Sequence, residues 1–163
     1  MSEPPVSTEE VAVAAGRMVW YASIWRRLGA WFLDQLILGI GLAALEWGSH
    51  LVILQLWPHR SGEYMIGVVP FYLRFILNGV VRMLYFSFME SSERGATVGK
   101  MAVNLRVLDL EGNRISFGRA VARWFASFLS YFTVGVGFVI AAFSEKRQAL
   151  HDMIAGTLVV DLD

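Results

Sequence analysis

Three long apolar runs separated by polar stretches lay out the plan of this chain. From Leu28 to Leu45 only Asp34 and Gln35 interrupt eighteen residues that are otherwise apolar or glycine, long enough for a membrane-spanning helix. A second run extends from Met65 to Met89, and a third from Ala120 to Phe143, interrupted at Thr133-Val134-Gly135-Val136-Gly137. The pattern predicts a membrane α-helical protein with spans at about residues 24–46, 65–89 and 119–143. Residues 1–16 carry Pro4, Pro5, Glu9 and Glu10 without the basic n-region of a secretory signal. They are expected to form a disordered tail or a helix from Thr8, ahead of one membrane domain at 17–163. The Leu51–Leu56 run is too short to span alone and reads either as a continuation of the first helix or as an interfacial segment.

Between the second and third runs the period changes. Val103, Leu105 and Val107 alternate with Asn104 and Arg106, as in a half-buried strand. Glu111-Gly112-Asn113 supplies a turn, and Arg114–Phe117 is expected to return as the second strand of a short hairpin. Thr157–Val160 reads as a further strand.

The polar residues inside the apolar runs carry the candidate chemistry. Arg27, Ala30 and Asp34 share one helical face, with Asp34 about 10 Å along the axis from Arg27. An ionisable group at that depth must face protein or water and have a partner. Arg74, Asn78 and Arg82 form a polar stripe on the second span. Counted from the same side, Asp34 and Arg82 are equally deep, so they are expected to pair; Arg27, Asp34, Asn78 and Arg82 are the candidate intramembrane cluster. Arg27 itself leans away from Asp34. Pro70 would kink the second span near its start.

Composition agrees with a membrane setting: 56% hydrophobic, 17% charged and a mean hydropathy of +0.51. Trp20, Tyr21, Trp25 and Trp31 cluster where the first span would meet the headgroups. Fourteen basic and fourteen acidic side chains give zero net charge, so no nucleic-acid partner is implied. Without cysteine there are no disulfides and no thiolate sites. Three Lys/Arg precede the first span, six lie between Arg94 and Arg123, and Arg60 stands alone in the first connection. The positive-inside rule then puts the N-terminus and the hairpin in the cytoplasm. It favours a third segment that breaks at its glycines and re-enters, keeping Lys146 and Arg147 inside; a single crossing is the simpler alternative.

Enzyme signals are absent. Gly95-Ala-Thr-Val-Gly99-Lys100 is one residue short of a phosphate-binding loop, and Met101 stands where the hydroxyl residue belongs. His151-Asp152 could begin a metal site, but His50 and His59 fall on the opposite face, and a structural His151 is favoured. No cofactor is implied. Asp152 is expected to accept backbone N–H bonds or to meet Arg119 or Arg123.

Arg27-x-x-Ala30-x-x-x-Asp34, Thr97-x-Gly99-Lys100, Arg123 and Arg147-Gln148-x-Leu150-His151-Asp152-x-x-Ala155-Gly156-Thr157-x-Val159-Val160 together resemble the RDD family. These are small bacterial integral membrane proteins named for an arginine and two aspartates. The resemblance, over roughly residues 20–160, assigns those roles to Arg27, Asp34 and Asp152, with Arg26 a less well spaced bearer of the arginine. It implies a multi-pass protein of the bacterial inner membrane, and transport, including cation/proton exchange, for some members. Two functions are compatible with it. One is a transporter using Asp34 as its ion site, which would need a homo-oligomer to enclose a path. The other is a membrane scaffold or assembly factor whose Arg/Asp set is structural.

Overall fold

A computed structural model describes residues 11–14, 17–56, 63–132, 140–141, 143–144 and 146–163. Strands β1 (Val11–Ala14) and β2 (Arg17–Tyr21) open the chain. Helix α1 (Ile24–Leu56) and helix α2 (Glu63–Glu90) come next, then the short α3 (Val98–Ala102), β3 (Leu105–Asp109), α4 (Phe117–Phe132), α5 (Leu150–Ala155) and β4 (Thr157–Asp161).

Local chemistry fixes the ends of these elements. Ser23 Oγ accepts the Arg26 N–H at 3.4 Å at the start of α1. At the end of α2 the hydroxyls of Ser91 and Ser92 donate to the carbonyls of Ser87 and Met89, at 2.7 and 2.6 Å, doubling the backbone N–H bonds that the same two residues make to them. Thr97 caps α3, its Oγ accepting the Lys100 N–H at 3.3 Å. Gly156, at φ +60°, closes α5 in the left-handed conformation.

The sheet is antiparallel throughout, in the order β1-β2-β4-β3. Leu105 pairs with Asp161, Val107 with Val159 and Asp109 with Thr157. Ala22, between β2 and α1, and Ala30, in α1, bury against Leu105, Val107, Ile115, Ala120 and Val159. This core seats the sheet on one end of the helices.

The expected strand at 157–160 does pair with the strand after Asn104. The expected hairpin, however, does not form. The Glu111-Gly112-Asn113 turn is present: Asp109 Oδ1 accepts the N–H groups of Glu111 and Asn113 at 3.0 and 2.7 Å. Beyond it Ser116 Oγ accepts the Arg119 N–H at 3.2 Å, so the chain enters α4 instead of returning as a strand. Segment 11–14, placed by the sequence in a tail, forms β1 on β2, while residues 1–10 and 15–16 lie outside the described residues.

Helix α1 has 33 residues and absorbs the Leu51–Leu56 run. Its Ile24–Ser49 portion is the one stretch among the described residues that is long and apolar enough to cross a membrane. Trp25, Phe32, Ile40 and Leu45 of α1, with Phe71, Phe75 and Ile76 of α2, expose large apolar side chains, a surface suited to lipid. Helix α2 runs through Pro70 to Glu90. The third apolar segment is helical as α4 to Phe132, and the glycines where it was expected to break lie outside the described residues. Further along, the chain returns beside α4, and α5 packs against it.

Candidate functional site

Asp34 is fully buried where α1, α2 and α3 meet. Its Oδ1 accepts the Tyr85 hydroxyl at 2.7 Å and the Gly99 N–H at 2.8 Å, and its Oδ2 accepts the Thr97 hydroxyl at 2.6 Å. The carboxylate therefore sits at the first turn of α3, where backbone N–H groups lack helical acceptors. No cation pairs with it among the described residues; three neutral donors satisfy it.

A second buried set lies beside it. Arg123 Nε and Nη2 donate to Asp152 Oδ1 at 2.8 and 2.7 Å, and Arg123 Nη1 donates to Glu90 Oε2 at 2.6 Å. Arg27 Nη1 reaches Asp152 Oδ2 at 2.5 Å, and Lys100 Nζ pairs with Glu90 Oε1. The result is one chain of ions, Lys100–Glu90–Arg123–Asp152–Arg27. Its members come from α3, α2, α4, α5 and α1, so each of these five helices contributes one charge. Asp152 Oδ2 also accepts the Ala149 N–H at 3.1 Å, tying the ion chain to the start of α5.

Burial disfavours the Asp152 anion, but the adjoining Arg123 and Arg27 outweigh it and hold the carboxyl well below the usual carboxylate range. Burial pushes the Lys100 ammonium down, against the pull of Glu90. His151 lies 3.4 Å from Asp152 Oδ1, with Ser130 Oγ 3.5 Å from its Nδ1; burial lowers its pKa from 6.5 to about 4, keeping the ring neutral at pH 7.

The expected Asp34–Arg82 pair does not form. Arg82 Nη1 donates instead to Oε1 of Gln35, the next residue along. Both side chains reach α2, but at different partners: Asp34 accepts the Tyr85 hydroxyl and the α3 donors, whereas Gln35 is the residue that meets Arg82. Asn78 donates to Glu46 Oε1 at 3.1 Å, so Arg27, Asp34, Asn78 and Arg82 belong to four separate contacts instead of one cluster. The motif residues Thr97, Gly99, Lys100, Arg123, His151, Asp152, Gly156 and Thr157 do converge. Gln148 Nε2 donates to the Thr157 carbonyl at 2.8 Å, and Thr157 Oγ1 donates to the Asp152 carbonyl at 3.4 Å. Arg119 reaches Asp109 at 3.6 Å, leaving Asp152 to Arg123. Arg26, beside Arg27, pairs with Asp161 and Asp163 and donates to the Val103 carbonyl at 2.8 Å. Glu90 and Tyr85 are members of the site that the sequence reading does not single out. A carboxylate ending an apolar run, opposite an excess of arginines, is the available signal for Glu90.

Apolar helices with one length fit to span a bilayer, closed at one end by a small sheet and a buried ion chain, define a membrane protein. It belongs to the RDD family, which the sequence matches over residues 21–156. It is similar to the uncharacterized protein YxaI of Bacillus subtilis (strain 168), at 30% identity over 146 residues, 85% of this chain and 96% of that one. It is also similar to the uncharacterized membrane protein YteJ of the same organism, at 28% identity over 147 residues, 86% and 80% of the two chains. No solved structure matches.

Proposed function

We propose that this is a multi-pass inner-membrane scaffold in which the RDD residues lock the helices together and carry no ion. The observation behind this reading is the ion chain Lys100–Glu90–Arg123–Asp152–Arg27, which takes one charge from each of these five helices and leaves none of its carboxylates open. Asp34 completes the lock by fastening α3 to α1 and α2 through Gly99, Thr97 and Tyr85. In this reading the N-terminus is cytoplasmic, as the lysine and arginine distribution favours.

A cation/proton exchanger using Asp34 is the second reading. In its favour, Asp34 borders a cavity of about 970 Å³ between α1, α2 and α4. Against it, the Asp34 side chain is fully buried and both its oxygens are occupied. Reconstitution into liposomes with a trapped pH-sensitive dye and a panel of alkali cations tests the choice. The scaffold reading expects no cation-driven proton flux above that of empty vesicles; a flux abolished by Asp34→Asn would establish the exchanger.

A further inference from the structure

Arg82 carries a charge that nothing among the described residues neutralises. It lies on α2, two turns before Glu90, and its guanidinium touches a single acceptor there, the neutral Gln35 Oε1. Among the described residues no carboxylate reaches it. The ion pairs among the described residues lie near Glu90 or at the sheet. A guanidinium has five N–H groups, so most of its donor capacity is open. Arg82 also stands in the wall of the 970 Å³ cavity, together with Trp31, Gln35, Phe75, Gly79 and Phe128. That volume falls in the range of ligand sites, roughly 300–1,000 Å³. Most of the wall is aromatic and aliphatic; its other cations, Arg27, Lys100 and Arg123, are already paired with Asp152 or Glu90, and a Cβ placed on Gly79 would meet nothing within 4 Å, so the groove has open space at Arg82's own level. Arg82 is thus the cation of this lining that no carboxylate among the described residues meets, and such a cation beside a largely apolar groove in a membrane helix calls for an anion attached to a hydrocarbon chain.

We propose that this groove binds an anionic phospholipid, with its phosphodiester on Arg82 and one acyl chain along Phe75 and Phe128. A zwitterionic lipid brings its own cation and leaves the charge of Arg82 less fully matched, so the site selects by net headgroup charge. Phosphate recognition uses the free edge of the guanidinium, in the forked geometry that arginine presents and lysine does not. The assignment rests on the proposed placement of α1 and α2 in the membrane. That placement fails separately, by a protein that stays soluble without detergent whether or not Arg82 is present.

The test is binding of phosphatidylglycerol and of phosphatidylcholine to the purified full chain in detergent, read by native mass spectrometry and by the unfolding midpoint. The expected result is a preference for phosphatidylglycerol of about tenfold, the ratio supplied by one charge-assisted hydrogen bond. Arg82→Gln should abolish the preference. Arg74→Gln, on the same helix but outside the groove, should keep it. Gly79→Leu, which retains the charge but fills the groove, should weaken both lipids, and it reads the site even if Arg82→Gln does not fold. Equal affinity of the wild type for the two lipids would overturn the proposal, as would an unchanged preference in Arg82→Gln. Equal stabilisation by inorganic phosphate or by decanoate would also overturn it, because either would show that the anion alone, or a carboxylate, is what the site takes. A midpoint that rises with protein concentration and ignores lipid would place a second copy of the chain in the groove instead.

Discussion

Gly99 stands so close to Ala30 that a Cβ on Gly99 would overlap the Ala30 carbonyl oxygen and lie 2.9 Å from Asp34 Cγ. The backbone of α3 therefore packs directly on that of α1: without a side chain at 99, α3 can bring the Gly99 N–H onto Asp34. Gly99→Ala should destabilise the protein by about 1–3 kcal/mol through overpacking and a lengthened Asp34 contact. Gly39→Ala on α1, where a Cβ meets nothing within 4 Å, should be neutral or gain about 0.5–1 kcal/mol. Thermal unfolding in detergent separates the two.

Asp152 holds two arginines at once, so its neutral isostere should be costly. Asp152→Asn leaves Arg27 and Arg123 partly unpaired in a buried site, a loss of about 3–5 kcal/mol. The amount of folded protein in membranes should drop. Arg123→Gln should be comparably harmful, since it also leaves Glu90 with Lys100 as its one remaining cation among the described residues, and the double variant should lose less than the sum of the two. A double-mutant cycle on unfolding midpoints reads the coupling.

Acid should weaken the fold in two stages. His151 is held neutral down to about pH 4, whereas an unfolded histidine takes up a proton near 6.5. Between those values the unfolded chain binds more protons, so stability falls as pH falls from about 6.5 to about 4. Asp152 has its pKa depressed, so its contribution is complete above the ordinary carboxylate range and is lost as pH drops below it. Unfolding midpoints from pH 7.5 to 4 should decline, and His151→Gln should flatten the part between 6.5 and 4.

Because Arg82 meets Gln35 and not Asp34, the energetics should track that contact. Asp34→Asn and Arg82→Gln should be additive to within about 0.3–0.5 kcal/mol, whereas Gln35→Ala and Arg82→Gln should be coupled. Coupling of the first pair would show that the charges interact through the bundle.

Much of this arrangement is legible in residue types and spacing. The apolar runs mark α1, α2 and α4, and the alternation at Leu105 and Val107 marks β3. Asp152, expected at a turn N–H or at an arginine of the third segment, meets both, at Ala149 and Arg123. What the linear pattern does not supply is azimuth between helices. Counting residues from the membrane surface puts Asp34 and Arg82 level, but with about 100° of rotation per residue Gln35 is the side chain that meets Arg82, while Asp34 meets Tyr85 and α3. The hairpin fails for a related reason: Arg114–Phe117 has strand-like composition, but Ser116 caps α4, and β3 pairs instead with β4, from the far end of the chain, while its Val107 N–H bonds the Gly95 carbonyl. Such non-local choices leave little trace in a local pattern. Glu90 is legible only as the end of a span, because its partners Lys100 and Arg123 lie on two other helices.

The central claim is that Asp34 fastens α3 to the first two helices. It is tested most directly by a double-mutant cycle between Asp34→Asn and Thr97→Val, read as the unfolding midpoint of the full chain in detergent. The 2.6 Å hydrogen bond between these side chains predicts that Asp34→Asn alone costs about 1–3 kcal/mol. It also predicts that the double variant loses clearly less than the two single losses added together. A midpoint unchanged by Asp34→Asn, or losses that simply add, would contradict the claim and leave Asp34 available for another role.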